Sequence, residues 1–220
     1  QLHRFWGDGN SNLWIIYYKL DKAFLTMPNE QIKNHLDRFK NIITSDFKPY
    51  GLHRARNCEF FKGVKIISLR KTLIPHFTYT DFSCYVSQTY FAIKPNDINL
   101  KYLTCLLNSK LIYFWLYCKG KKQGDQLQID KDPLLELPLI KPDFSKPGEK
   151  NIHDNLVVMA DKMLNLQRKY YSAQLEQDKK LYKTQIDILD HQIDLQVYKL
   201  YSLTEKEIRI IEDKCQKVKY

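Results

Sequence analysis

Apolar and polar positions change rhythm several times along the 220 residues of the chain. An aromatic, alternating stretch around "LWIIYYKL" runs into "MPNEQIKNHLDRFKNIITSDF", where Ile32, Leu36, Phe39 and Ile43 recur at helical spacing behind a Pro28–Asn29 start. Between His53 and Pro95 the short runs "VKIISL", "HFTYT" and "TYFAI", rich in branched and aromatic side chains and separated by turn residues, predict strands. In "NDINLKYLTCLLNSKLIYFWLYC", Leu100, Leu103, Leu107, Leu111, Phe114 and Trp115 keep a helical period while nearly every face is apolar, which predicts one buried helix. The stretch "KGKKQGDQLQID" reads as a basic loop leading into a short strand. Pro133, Pro138, Pro142 and Pro147 then mark an extended linker.

Beyond residue 150, Leu156, Met159, Met163, Leu166 and Tyr170 step by three and four, and Tyr182, Ile186, Leu189, Ile193 and Leu200 fall on a heptad frame. The first series carried forward reaches Thr184 and Asp187 instead of Ile186 and Leu189, so the phase breaks near residues 172–178 and two antiparallel helices are expected. A further helix starts after Thr204, with Glu207 completing a capping box. The expected class is α+β: a connecting segment with a helix over residues 1–50, a strand-rich body with a buried helix over 51–150, and a coiled-coil-like antiparallel helical pair over 151–220.

Composition narrows the possible partners. With 44% hydrophobic residues the chain can build a core, and with only 7 Gly it has no glycine-rich phosphate cradle. The net charge of +10 points to an anionic partner, nucleic acid or a membrane surface. From Asn151 onward 12 Lys and Arg face 11 Asp and Glu, so residues 1–150 supply nine of the ten net charges. Five widely spaced cysteines without a CxxC pair read as reduced and cytosolic. The chain begins at Gln1 without Met, signal peptide or an apolar run of about 20 residues. That reads as an excised piece of a larger protein, with no membrane partner.

Candidate chemistry follows the charge. The segment "KPYGLHRARNCEFFKGVKIISLRK" sets Lys48, Arg54, Arg56, Lys62, Lys65, Arg70 and Lys71 against Glu59 alone. Arg suits bidentate contact with guanine edges and phosphate, and Lys supplies a mobile point charge. A solvated basic edge is the competing explanation. Lys119, Lys121, Lys122 and Gln123 form a second basic element between Gly120 and Gly124, suited to phosphate contact or to a plain surface loop. His53 joins the candidates through its arginine neighbours, against the commoner case of a structural histidine. The aromatics Tyr50, Phe60, Phe61, Tyr79 and Tyr85 are expected in the core and not as base platforms. No histidine or cysteine spacing suits zinc. Asp187, Asp190 and Asp194 read as a solvated helix face and not as a catalytic or Mg²⁺ cluster. No nucleophile with a base, Walker lysine or dinucleotide fingerprint occurs, so no catalytic residue and no cofactor site are expected in this chain.

Four stretches, "GLHRARNCEFFKGVKIIS", "CLLNSKLIYFWL", "LLELPLIKP" and "DHQIDLQVYKLYSLTEKEIRIIE", together resemble the TaqI-like C-terminal specificity domain of type IIG restriction-modification enzymes and related adenine-specific DNA methyltransferases. Ser202 stands where relatives often place Gly after "VYxLY". The resemblance implies that residues 51–150 are a target recognition domain. Such a domain reads double-stranded DNA through the major groove, while a separate methyltransferase domain of the same parent chain flips and methylates adenine. That parent would use S-adenosyl-L-methionine, with Mg²⁺ where it also cleaves DNA, in a bacterial cytoplasm. An "NPPY"-type motif is missing between Gln1 and Tyr220. The expected DNA contacts are His53, Arg54, Arg56, Lys62, Lys65, Arg70, Lys71, Lys119, Lys121, Lys122 and Gln123, taken from local charge alone. Two rivals stay open: half of a type I specificity subunit, and a helical protein-interaction module whose basic patch only solubilises.

Overall fold

A computed structural model describes residues 1–10, 14–17, 30–42 and 56–217. They belong to two compact units, one formed by Gln1–Gly9 with Lys62–Tyr220 and the other by Asn10–Phe61. The class is the expected α+β.

In the smaller unit the helical period gives α1 (Glu30–Asp37). Ile32 and Leu36 are half-buried along it, and Phe39 lies past its last turn, 41% exposed. Pro28 and Ile43 lie outside the described residues. A 3₁₀ turn at Cys58–Phe60 is capped by Asn57, whose side chain accepts from the Glu59 amide at 3.0 Å.

The larger unit holds two sheets. β1 (Phe5–Trp6), β2 (Lys65–Leu69), β4 (Phe77–Thr80) and β5 (Tyr90–Ile93) form the first, in the order β1-β4-β2-β5, with β1 parallel to β4 and the other pairs antiparallel. β2 is one of its two inner strands and is buried from Lys65 to Ser68. Cover on both faces is why its text reads as a nearly continuous apolar run and not as an alternation. β3 (Lys71–Thr72), β7 (Gln126–Gln128) and β6 (Lys121–Gln123) form the second, an all-antiparallel ribbon. The loop expected at residues 119–125 is thus a hairpin. Gly124, at φ +60°, supplies the left-handed first position of its two-residue turn.

The single helix expected over residues 96–118 is two, α2 (Leu100–Asn108) and α3 (Lys110–Lys119). Ser109 takes extended backbone between them and serves both, donating to the Leu106 carbonyl at 2.7 Å and accepting from the Ile112 amide at 3.3 Å. Its competition for backbone groups ends one helix and caps the next. Asn108, 1% exposed, pins this joint to the first sheet. Its amide donates to the carbonyls of Phe77 at 2.7 Å and Thr104 at 3.0 Å, and its oxygen accepts from the Phe77 amide at 3.1 Å. Asn108 therefore stands in for a neighbouring strand at the start of β4.

After the short helix α4 (Lys131–Leu135) come α5 (Pro147–Ser172) and α6 (Glu176–Leu200), reversing across residues 173–175 where the phase break lay. Pro147 opens α5 at a position where a missing amide costs nothing. Leu156, Ala160 and Met163 of α5 meet Ile186, Ile193 and Val197 of α6 and close over Tyr102, Cys105 and Leu106 of α2. Each of these Leu, Ile, Val and Met side chains contributes about 1.5–3 kcal/mol by leaving water. α7 (Glu205–Lys217) begins at the capping box: the Thr204 amide and hydroxyl both donate to Glu207 at 2.7 Å, which holds that carboxyl below its usual range. Ile211 and Cys215 of α7 pack with Tyr113 of α3 and Tyr198 of α6.

Candidate nucleic-acid interface

Register in the ribbon decides which basic side chains meet. Lys71 pairs with Gln128, which pairs with Lys121; Thr72 pairs with Leu127, which pairs with Lys122; Gln123 pairs with Gln126. Alternation along strands puts Lys71, Lys121, Gln123, Gln126 and Gln128 on one face, across three strands set about 4.8 Å apart. Lys71 Nζ donates to Gln123 Oε1 there. The other face carries Leu127, 4% exposed, into the core with Ile112 and Leu116. The ribbon is thus rooted on its apolar side and displays lysine and glutamine on the other.

Arg70 leads into β3, with its guanidinium over the Phe91 ring at 4.5 Å. Its carbonyl accepts from the Ile129 amide at 2.7 Å, which extends the ribbon by one pair. Asp130 lies 3.6 Å from the mostly exposed Lys121 ammonium, and Asp125 stands in the turn between β6 and β7. A hydrogen bond from Gln128 first, then the charges of Lys121 and Arg70, hold the Asp130 carboxyl below the usual range. On α3, Lys119 lies over Trp115 at 5.5 Å, and Lys122 lies over Tyr117 at 3.9 Å. Arg70, Lys71, Lys119 and Lys122 have no carboxylate within 4.0 Å among the described residues, whereas Lys146, Lys150, Lys179 and Lys183 on or beside the helical pair each have one.

Lys65 and Lys62 do not join this group. Lys65 is fully buried, its ammonium held by the carbonyls of Phe82 at 2.6 Å and Gly63 at 3.0 Å, so it stabilises the sheet and drops out of the DNA-facing set. Burial lowers its pKa. Lys62 is exposed beyond the opposite end of β2, nine residues from Lys71, where its carbonyl accepts from Lys94. Arg56 is half-buried in the smaller unit, with its carbonyl accepting from Tyr17 Oη. His53 and Arg54 lie outside the described residues. A Cβ on Gly120 would stand 2.5 Å from the Leu116 carbonyl and 2.7 Å from Leu127, so that glycine lets β6 leave α3.

Two of the three carboxylates read as a solvated face turn inward. Asp187 pairs with Lys183 at 2.6 Å on the surface. Asp190 receives Arg4 at 2.7 Å, and Asp194, 1% exposed, accepts from the Lys110 amide at 2.9 Å and so caps α3. Burial, then the charge of Asp190, push the Asp194 carboxyl up to about 7. Among the aromatics, Phe61 is buried and Tyr79 half-buried as expected, but Phe60 and Tyr85 are exposed. Among the described residues no group of three or more His, Cys, Asp or Glu stands together to hold a metal ion, and no helix is long and apolar enough to cross a membrane.

Residues 18–139, which contain the ribbon, match the family described as the TaqI-like C-terminal specificity domain. The chain belongs to this family. Two relatives of the specificity domain are type II methyltransferases of Haemophilus influenzae, M.HincII and, from strain ATCC 51907 / DSM 11121 / KW20 / Rd, M.HindII. Each is 31% identical over 99 residues, which is 44% of this chain and 18% of the relative. The specificity domain thus aligns with less than a fifth of either enzyme. Sequence reasoning missed Gln126 and Gln128, although the alternation in "QLQID" marks them as facing away from Leu127 and Ile129.

Proposed function

We propose that this specificity domain recognises double-stranded DNA within a bacterial restriction-modification enzyme and directs a methyltransferase domain to its target. The observation that carries the proposal is the ribbon face, where Lys71 and Lys121 stand among three glutamines, Gln123, Gln126 and Gln128. The β6–β7 hairpin is a two-stranded ribbon, an element that fits the major groove of B-DNA, about 12 Å wide. Glutamine can bond adenine through its N6 and N7 edge, and the flanking Lys71, Arg70, Lys119 and Lys122 would hold phosphates on either side. The charge distribution supports the same assignment, since the helical pair is nearly neutral and the body carries the excess.

The catalytic partner is a methyltransferase domain that binds S-adenosyl-L-methionine and methylates adenine at N6. Mg²⁺ is needed only if the parent also cuts DNA. The chemistry is assigned to that partner because the chain holds no "NPPY"-type motif and no nucleophile paired with a base. The test is charge reversal on the ribbon, Lys71→Glu with Lys121→Glu, measured by fluorescence anisotropy on a labelled duplex. Both side chains are exposed, so the fold is retained. Duplex affinity should fall by tenfold or more with the circular dichroism melt unchanged. Unchanged affinity would overturn the assignment of this face.

A further inference from the structure

One cluster of charge lies partly outside the family match. Lys214 of α7 places its ammonium 4.2 Å from the centre of the Tyr117 ring, and Lys122 of β6 places its own 3.9 Å from the same centre. The two ammonium groups therefore stand no more than about 8 Å apart, though 92 residues separate them in sequence. Neither has a carboxylate within 4.0 Å among the described residues, while Lys110, which also faces α7, is paired with Glu212 at 2.8 Å. Chain folding has gathered like charges here and left them uncompensated. As hydrogen-bond donors to the Tyr117 hydroxyl, the two lysines also pull its pKa below the ordinary value.

The geometry points to an anion site, made by Lys122, Lys214 and the Tyr117 hydroxyl, that takes one backbone phosphate of the DNA and so makes α7 part of the interface. A phosphate group can accept from both ammonium groups and from the phenol at once, and charge-assisted bonds of this kind are the strong ones. The site follows Lys121 by one residue along β6. A duplex lying on the lysine–glutamine face would thus be flanked on the α3 side by a phosphate anchor from a different layer of the fold. α7 also packs on α3 through Ile211 and Cys215, which fixes Lys214 in place.

This inference rests on the duplex-binding reading above, and the experiment separates the two. Affinity of the full chain for a labelled duplex is measured from 50 to 200 mM salt for the natural sequence, for Lys122→Ala with Lys214→Ala, for Tyr117→Phe, and for Lys180→Ala on α6 as a control. Each phosphate neutralised contributes about 0.9 to the slope of log affinity against log salt. The double variant should lose about one such increment, so that its affinity drops about 3.5-fold less over that salt range. Tyr117→Phe should weaken binding with the slope kept, and Lys180→Ala should change neither. A double variant with the natural slope and affinity would overturn the anion site and leave the duplex reading standing. A natural sequence with no duplex affinity at any salt would overturn both.

Discussion

Replacing Asn108 by alanine tests the joint on which the interface is built. The side chain is 1% exposed and makes three hydrogen bonds, two of them to the amide and carbonyl of Phe77, itself fully buried. The third partner, the Thr104 carbonyl, sits inside a helix and keeps its backbone bond. Alanine therefore strands one buried N–H and one buried C=O at the start of β4. Each unsatisfied group costs about 1–3 kcal/mol, which sets the expected loss near 4 kcal/mol. For a chain of this size 1 kcal/mol corresponds to roughly 2–4 °C, so the melting midpoint should fall by roughly 8–16 °C. Urea unfolding followed at 222 nm, where the helices of the larger unit dominate, measures the loss directly. The midpoint should shift with its slope unchanged. A loss under about 1 kcal/mol would refute the claim that Asn108 completes the sheet, since even one stranded group costs that much.

Two further outcomes follow from buried groups. Because Asp194 has its carboxyl raised to about 7 by burial, the folded state holds a proton there that the unfolded chain releases near its ordinary value of 3.8. Stability should therefore decline as pH rises from about 4 to about 7. Asp194→Asn should flatten that decline in a pH series of urea midpoints, and an unchanged pH profile would contradict the burial of a proton at this site. Gly120→Ala should lower the melting midpoint and weaken duplex binding together, because its Cβ would press against the Leu116 carbonyl and Leu127 where the ribbon leaves α3. A variant that melts and binds like the natural sequence would show that β6 does not need this close approach.

What was legible in the sequence is what neighbouring residues decide. Helical phase located the reversal between α5 and α6, and the Thr204–Glu207 spacing located the start of α7, because both signals act within a turn or two. The split at Ser109 was hidden for the opposite reason. α2 is buried on nearly every face and α3 continues in apolar residues around the buried Ile112, Tyr113 and Leu116, so the apolar text showed no loss of phase. Only the adjacent polar pair Asn108–Ser109 marked it. The basic interface was legible as composition and not as geometry. Charge count cannot tell that Lys65 faces two carbonyls, that Lys62 sits at the far end of β2, or that Lys214 crosses to Tyr117, since strand pairing and helix docking over tens of residues set those positions. The hairpin turn at Gly124 was a local signal that a charged, polar sequence disguised as a loop.

The most direct test of a DNA-grasping ribbon is the salt dependence of duplex binding by the natural sequence. With Arg70, Lys71, Lys119, Lys121 and Lys122 on phosphates, together with Lys214, the slope of log affinity against log salt should lie near −5. A slope near zero, or equal affinity for an uncharged polymer, would contradict the account.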